Sequence, residues 1–285
     1  MSFKLPAVCS SESHASFEMK ARSLGLDPAD PWVGGYVEYE WAHLRHLIEA
    51  LPTQIAGSRV LEVGCNLGAS AVVLSKLGAV VTAFDVSADF VELAQLNALR
   101  YGHGDIVFDH IKDSRTLPYA THQFDMICCN SVLEYVPAAF QKCLIAELSR
   151  VLSPQGLVLI TGTSNRVWPR EVHSQRWFTN YLPSAFDVLL GASPQRGLFP
   201  WRLREAFGKN FFNLDNGSAD GYFSRTRTSM GMSPHVLRAI LMVARTMRVG
   251  PGLLTPSMSC LLQKNNEPLG ERTRPGPTKS GALTL

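Results

Sequence analysis

The sequence lacks any apolar stretch long enough to cross a membrane, and it also lacks paired cysteines. No charge-free apolar span reaches the roughly 18 residues of a membrane helix, and residues 1–6 show no charged stretch followed by an apolar core. We therefore expect neither secretion nor membrane insertion. The six cysteines form no C-x-x-C pair and have no regular spacing, which is typical of buried thiols in a reducing compartment. This favours a cytoplasmic protein.

An excess of charge of one sign is missing as well. The net charge is only +3, and the basic residues do not gather in a long run. A nucleic-acid partner is therefore not expected, and a small-molecule partner is favoured. No set of metal ligands is predicted either. The 285 residues, 46% of them hydrophobic, suffice for one sizeable α/β domain.

Short apolar runs alternate with helical patterns along the chain. Such alternation predicts parallel strands joined by right-handed crossovers, in an α/β fold with a doubly wound, mostly parallel, seven-stranded, Rossmann-like sheet. The predicted strands are 59–63, 80–86, 106–109, 124–130, 156–162, 210–214 and 257–262. The predicted helices are 68–77, 88–101, 137–152, 201–208 and 234–248.

The segments around this sheet differ in character. An amphipathic helix is predicted over residues 36–51, ahead of the first strand. Residues 1–30 show no clear period and are expected to be loosely ordered, and residues 265–285, which are polar and rich in Pro and Gly, are expected to form a disordered tail. One domain is predicted between them, over 31–264. Residues 163–201, aromatic and basic after the fifth strand, indicate a functional insertion.

The loop after the first predicted strand indicates a ligand site. It runs from Glu62 through Gly64, Asn66 and Gly68 into a helix that starts with small residues. Glycines let the backbone approach a ligand closely, and the amides at a helix start point towards it. Asp85 ends the second predicted strand, where a carboxylate can accept hydrogen bonds from both hydroxyls of a ribose. These residues together predict an adenosine site.

The spacing in this loop separates two kinds of adenosine ligand. Dinucleotide-binding folds use G-x-G-x-x-G to bring the backbone against a pyrophosphate, whereas this chain has Gly64-x-x-x-Gly68. The carboxylate of Glu62 would sit poorly beside a diphosphate but suits a cationic ligand that carries an amino-acid group. A sulfonium ligand is therefore favoured. An NAD(P)-dependent oxidoreductase, which would bind a dinucleotide, is the less favoured interpretation.

The successive motifs resemble those of class I S-adenosylmethionine (SAM)-dependent methyltransferases of the small-molecule type. The likeness covers about residues 59–162 and rests on the loop after the first strand, on Asp85, on 113–119 with 124–125, on 130–136 and on 150–156. It implies transfer of a methyl group from SAM to an O, N or C nucleophile of a small molecule. A non-catalytic, SAM-binding partner subunit is an alternative.

The resemblance also implies roles for single residues. The loop around Gly64 would lie against the methionine portion of SAM, Asp85 would hold the ribose, and Val86 would pack on adenine. Asp113 would accept from the adenine amino group, and the Ser114 amide would bond a ring nitrogen. The full set of cofactor-binding residues is Glu62, Gly64, Asn66, Gly68, Asp85, Val86, Asp113, Ser114, Asn130 and Leu133.

The acceptor is expected to contact the insertion and the N-terminal lid helix. His173 is the candidate general base, because imidazole titrates near neutral pH. Two departures from the family pattern stand out: Asn66 replaces a common glycine, and Tyr135 follows Glu134 where histidine is frequent. The predicted substrate-binding residues are Tyr36, Tyr135, Trp168, Arg170 and Arg176.

Overall fold

A seven-stranded sheet forms the centre of the protein. The structure is a computed structural model that describes residues 4–183, 186, 196–215 and 217–265. The strand order in the sheet is β3-β2-β1-β4-β5-β7-β6. The strands are β1 (Arg59–Val63), β2 (Val80–Asp85), β3 (Val107–His110), β4 (Phe124–Asn130), β5 (Leu152–Ser164), β6 (Phe211–Asn213) and β7 (Ser257–Lys264).

The strand pairing confirms the doubly wound, mostly parallel sheet. Strand β1 pairs in parallel with β2 on one side and with β4 on the other, and β5 continues the parallel pairing beyond β4. Only β7 runs antiparallel to its neighbours β5 and β6. Because the strand order reverses between β1 and β4, loops on either side of this point diverge and leave a crevice at the carboxyl ends of the strands.

Helices cover both faces of the sheet, which explains why its central strands are almost wholly apolar. Neighbouring residues of β1 point into different cores: Val60 packs with α2, α3 and α4, whereas Leu61 packs with α5 and α6. The helices are α1 (Ser11–Ser23), α2 (Tyr36–Glu49), α3 (Ala69–Lys76), α4 (Ala88–Arg100), α5 (Ala138–Val151), α6 (Pro200–Phe207), α7 (Tyr222–Ser229) and α8 (Pro234–Met247). Within the described ranges, no helix has the length and apolar character needed to span a bilayer.

Helix α1 corrects the expectation that residues 1–30 are loosely ordered. Ser10 caps the helix by accepting a hydrogen bond from the Ser13 amide at 3.2 Å, and only Phe17 and Ala21 are buried along its length. Two buried positions in thirteen are too few to produce a visible apolar period, so the helix depends on its cap and on its packing against α4. Helix α7 was also not predicted.

The described residues of the segment after β5 have little regular secondary structure. Its described residues contain a one-pair bridge between Arg170 and Trp177 and a short 3-10 turn, Thr179–Tyr181. Residues 184, 185 and 187–195 of the predicted insertion lie outside the described residues. The predicted disordered tail lies outside them too, apart from Asn265.

Replacing Phe17 with alanine tests whether α1 belongs to the fold. Phe17 is fully buried, and the Arg100 guanidinium carbon lies 3.9 Å from the centre of its ring. Loss of this packing is expected to lower the free energy of unfolding by about 3 kcal/mol. Urea denaturation followed by circular dichroism measures the change.

Met19 on the same helix provides the matched control, because it is 70% exposed. Met19→Ala is expected to change the free energy of unfolding by less than about 0.5 kcal/mol. Equal effects of the two substitutions would show that α1 does not pack on the domain.

Candidate active site

One large cavity lies at the carboxyl ends of β1, β2 and β4. Its volume is about 1080 Å³, and it opens where the strand order reverses. Strand ends, the start of α2 and the segment after β5 all contribute to its wall. The residues predicted from the sequence that line it are Tyr36, Glu62, Gly64, Asn66, Asp85, Val86, Asp113, Ser114, Asn130, Tyr135 and His173.

Two predicted cofactor residues lie outside this cavity and have packing roles. Gly68 begins α3 with φ +72°, and a Cβ atom there would stand 2.9 Å from the Cβ of Ala94 on α4. Leu133 is buried in the core between the sheet and α5. Both positions are fixed by close packing of the fold, so the structure does not place them against a ligand.

Three predicted substrate residues also lie outside the cavity. The Trp168 indole donates to the Leu254 carbonyl at 3.0 Å. The Arg170 guanidinium lies 5.9 Å from the ring centre of Trp177. The Arg176 carbonyl accepts from the Glu171 amide at 2.9 Å. These contacts lie within the insertion or join it to Leu254, and sequence composition cannot distinguish them from contacts with a substrate.

Left-handed backbone conformations shape the loop after β1. Gly64 has φ +65°, and a Cβ atom there would lie 2.9 Å from a methyl group of Val132. Asn66 has φ +47°, a conformation that asparagine tolerates better than most residues, so its presence in place of glycine is consistent with the loop. Asp85 accepts from the Asn66 amide at 2.9 Å and from the Ser87 amide at 3.0 Å. Each Asp85 oxygen keeps a lone pair for a ligand hydroxyl.

Two buried carboxylates form an acidic floor in the cavity, Glu40 from α2 and Glu62 from β1. Burial raises the pKa of Glu40 to about 7, against the opposing effect of hydrogen bonds from Asn130 and Tyr36. Burial, followed by the charge of Glu40, raises the pKa of Glu62 well above its usual value, although Ser70 donates a hydrogen bond to it. The Asn130 side chain also donates to Ser70 at 2.9 Å, which links the two acids through one polar network.

The acidic floor has no cation of its own in the described part of the chain. No ion pair involves Glu40 or Glu62, and the Glu62 Oε2 atom is buried without a hydrogen-bond partner. Glu40 was missed from the sequence, although a signal was present. It lies between Val37 and Trp41 on the apolar face of an amphipathic helix, where a carboxylate is costly unless it has a function.

The opposite end of the cavity carries Val86, Asp113 and Ser114. Asp113 forms a two-pronged ion pair with Arg115, with the closest atoms 2.7 Å apart, and is half exposed. The hydrogen bonds from Arg115 hold the pKa of Asp113 at about 2, so this carboxylate stays charged. A carboxylate has enough lone pairs to accept from Arg115 and from an amino group at once.

His173 reaches the cavity from the segment after β5 and pairs with a buried acid. Its Nε2 atom lies 3.1 Å from Oε1 of Glu134, whose side chain is only 1% exposed. Burial alone would lower the pKa of His173, but the hydrogen bond and charge of Glu134, with the charge of Glu171, raise it. Glu171 is itself held by the His173 amide at 2.9 Å and by the Ser164 hydroxyl at 2.9 Å.

An aromatic wall closes the cavity on the side of α2. The ring centres of Trp32 and Tyr39 are 4.6 Å apart, those of Tyr36 and Tyr39 are 6.1 Å apart, and His43 stacks against Tyr39 at 4.1 Å. Trp32 is largely exposed. This wall is apolar and stands next to the acidic floor, which suits an organic cation.

The central part of the chain is similar to known proteins. Residues 61–160 match the family described as methyltransferase domain. A ubiquinone biosynthesis O-methyltransferase of Paracidovorax citrulli is 29% identical over 161 residues, which cover 52% of this chain and 66% of that protein. The protein of the same name from Klebsiella pneumoniae is 33% identical over 112 residues, 39% of this chain and 44% of that protein.

A solved structure shares the fold. The SAM-dependent methyltransferase from Mesorhizobium loti superposes with a TM-score of 0.50 at 15% identity, over 78% of this chain and 98% of that one. Residues 61–160 thus resemble a methyltransferase domain, as the motifs indicated, and the chain has the fold of a SAM-dependent methyltransferase. It spans less than two thirds of the length of the curated relatives named above.

The residues in the cavity fit SAM, the cofactor of this class of domain. The glycine loop has no room for added side chains, Asp85 offers lone pairs for a ribose, and the unpaired Glu62 oxygen lies where a cationic amino-acid group can compensate it. A pyrophosphate would instead bring further negative charge beside two buried carboxylates.

Glu40→Gln tests whether the buried Glu40 carboxylate lowers the free energy of unfolding. Because its pKa is about 7 in the fold and 4.5 in an ordinary environment, the folded protein binds more protons than the unfolded chain between these values. Stability is therefore present below pH 4.5 and lost as pH rises through about 7, by about 3 kcal/mol. Urea denaturation of the ligand-free protein at pH 5 and pH 7.5 should show a shallower decline for Glu40→Gln.

Glu49→Gln, at the exposed end of the same helix, is the control and should keep the wild-type decline. If Glu40→Gln and the wild type lose the same free energy between the two pH values, the carboxyl group of Glu40 is not strained.

Proposed function

We propose that this protein transfers a methyl group from SAM to a nucleophile of a small molecule. The observation that carries the proposal is the single cavity in which the Gly64 loop and Asp85 meet the acidic floor of Glu40 and Glu62. Bound there, SAM supplies an electrophilic methyl group on a positively charged sulfur. The protein aligns the nucleophile with that methyl group and keeps water out.

In this proposal, the cofactor lies along the ends of β2, β1 and β4. Asp85 accepts from the ribose hydroxyls, and Val86, Asp113 and Ser114 hold the adenine. The loop at Gly64 and Asn66 lies against the methionine portion, whose ammonium group faces Glu62 and the Asn130 network. Tyr36 and Trp32 on the aromatic wall cover the site as a lid.

We further propose that the acceptor atom is a hydroxyl oxygen. A hydroxyl must lose a proton during methylation, and we propose that His173, which lines the cavity, takes it. With its Nε2 atom bonded to Glu134, the proton-accepting atom of neutral His173 is Nδ1. The O-methyltransferase names of the two curated relatives support the same choice. Tyr135, whose ring centre is 5.9 Å from that of His173, completes the acceptor wall.

Two alternatives make different predictions. A non-catalytic, SAM-binding partner subunit would bind the cofactor and transfer nothing. An NAD(P)-dependent oxidoreductase would bind a dinucleotide, which the two carboxylates of the floor disfavour. Labelled transfer from methyl-labelled SAM into a metabolite extract separates catalysis from mere binding.

Compartment and domain limits are also proposals. We place the protein in the cytoplasm because all six cysteines are free, as expected in a reducing compartment. We propose that residues 31–264 form one methyltransferase domain, in which the insertion over residues 163–201 contributes His173 to the acceptor side.

Asp85→Asn tests the ribose contact. The substitution keeps an oxygen for the Asn66 amide but removes the charge that strengthens hydrogen bonds from two hydroxyls. S-adenosylhomocysteine should bind the variant about 100-fold more weakly than the wild type, as measured by calorimetry. NAD should bind neither protein.

Asp89→Asn is the matched control, because Asp89 lies exposed on α4 and its ion pair in the described part of the chain is with Lys20. Its affinity for S-adenosylhomocysteine should match the wild type. Tight binding of NAD without binding of either sulfur ligand would overturn the methyltransferase assignment.

Glu134→Gln tests the proposed base through the pH profile of labelled product formation. Neutral His173 is required, so the rate rises with pH as this group loses its proton. Because Glu134 raises the pKa of His173, the variant should show the acidic limb of its profile at lower pH and a lower plateau rate. His173→Ala should lose about 100-fold or more in rate with unchanged cofactor affinity.

His235→Ala, on the exposed face of α8, should leave both the rate and the profile unchanged. An unaltered acidic limb in Glu134→Gln, or full activity in His173→Ala, would remove His173 from the role of base.

A further inference from the structure

Arg227 carries a positive charge into the same cavity without a carboxylate to balance it. It lies on α7 and lines the cavity together with Met230 and Ser257. Its Nη2 atom donates to the Ser259 hydroxyl at 2.9 Å, and its Nη1 atom lies 3.6 Å from the sulfur of Met230. Its Nε atom is buried and has no hydrogen-bond partner among the described residues.

The surroundings of Arg227 make this charge costly. Its guanidinium carbon lies 5.2 Å from the centre of the Phe223 ring, and burial lowers its pKa despite the favourable influence of Tyr222. Among the described residues, no acidic side chain forms an ion pair with it. Arg227 is partly buried. Charges withdrawn from water in proteins are normally paired, so an unpaired one in a cavity wall indicates a charged ligand.

Four other arginines contrast with Arg227. Arg59, Arg115 and Arg150 each pair with a carboxylate at 2.7 Å. Arg100 is also buried without an acid, but it donates to Asn97 and Gly34 and stacks on Phe17, so the fold satisfies its donors. Among the residues that the structure describes, Arg227 has one ordinary acceptor, a hydroxyl, for its five N–H donors.

The position of Arg227 places it on the acceptor side of the cavity. Its partner Ser259 lies on β7, which pairs with β5, whereas Asp85 ends β2 on the far side of β1 and β4. The adenosine end and Arg227 therefore border different parts of the cavity. Glu62 of the acidic floor lies on β1, between β2 and β7 in the strand order, so a cofactor bound at Asp85 with its ammonium group at Glu62 would extend from the β2 side towards Arg227.

We propose that Arg227 is the binding site for an oxyanion group, a carboxylate or a phosphate, on the methyl acceptor. The inference rests on the proposed function, because it names the chemical class of the acceptor for the same cavity. The guanidinium binds the oxyanion through its free N–H donors, which positions the acceptor hydroxyl on the side of His173. An acceptor of this class has a hydroxyl and an anionic group on one small scaffold.

Binding of simple probes to the protein saturated with S-adenosylhomocysteine tests this site. Calorimetry with benzoate, phenyl phosphate and benzamide separates the two oxyanions from a neutral analogue of the same shape. At least one oxyanion should bind the wild type about 10-fold or more tightly than benzamide. Arg227→Met should lose that preference, and Arg227→Lys should keep part of it. Whichever oxyanion binds better identifies the carboxylate or the phosphate.

Arg225→Met on the same helix is the matched control, because the Arg225 side chain is exposed and donates to the Asp220 and Ala50 carbonyls. It should keep the preference for the oxyanion. Arg227→Met should also melt at or above the wild-type temperature, because the substitution removes an unpaired buried charge.

The possible failures are distinguishable. If S-adenosylhomocysteine does not bind the wild type, the proposed function itself fails. If it binds but no probe binds, if benzamide binds as well as the oxyanions, or if Arg227→Met keeps the preference, the Arg227 site is overturned. Loss of S-adenosylhomocysteine binding in Arg227→Met would assign this arginine to the cofactor, and a large drop in its melting temperature would assign it a structural role.

Discussion

The Asp85 carboxylate holds the ends of β1 and β2 next to each other, and the shape of the cavity depends on this contact. By accepting the Asn66 amide, it ties the loop after β1 to the end of β2, and by accepting the Ser87 amide, it shapes the start of α4. The loop can follow this path only because Gly64 and Asn66 adopt left-handed conformations. A group that both builds the loop and faces the cavity couples local folding to ligand binding, so its geometry is already set before a ligand arrives.

The cavity has an ordered distribution of charge. Glu40 and Glu62 are buried at its floor, Arg227 lies at its acceptor side, and His173 stands beside Glu134 and Glu171 in its wall. The acids of the floor and Arg227 each lack an oppositely charged partner among the described residues. Each unpaired charge therefore lowers the free energy of unfolding of the ligand-free protein. A ligand with groups of opposite charge would compensate charges that folding alone leaves unbalanced, and would thereby stabilise the fold.

The sequence predicts the parts of the site that follow from local pattern. Glu62, Gly64, Asn66 and Asp85 lie at strand ends and in a turn, and the alternation of strands and helices places them at one edge of the sheet. All seven strands were predicted to within a few residues, because apolar runs covered on both faces are visible in sequence.

Other parts depend on tertiary contacts that no local pattern records. The pairing of His173 with Glu134 joins residues 39 positions apart, and the contact of Asn130 with Ser70 joins residues 60 positions apart. Trp168, Arg170 and Arg176 have the composition of a binding surface, but Trp168 and Arg170 bond to the insertion and its neighbours. Helix α1 has too few buried residues to show a period.

The contacts of Arg100 with α1 show that the fold around the cavity extends well beyond the segment that matches the methyltransferase family. Arg100 stacks on Phe17 and donates to the Gly34 carbonyl at 2.8 Å, just before the start of α2, the helix that carries Tyr36 and Glu40. The N-terminal helix is thus linked through Arg100 to the start of α2, which carries Tyr36 and Glu40. A fragment trimmed to residues 61–160 would keep Asp85 but lose Glu40, His173 and Arg227, and with them three sides of the chamber.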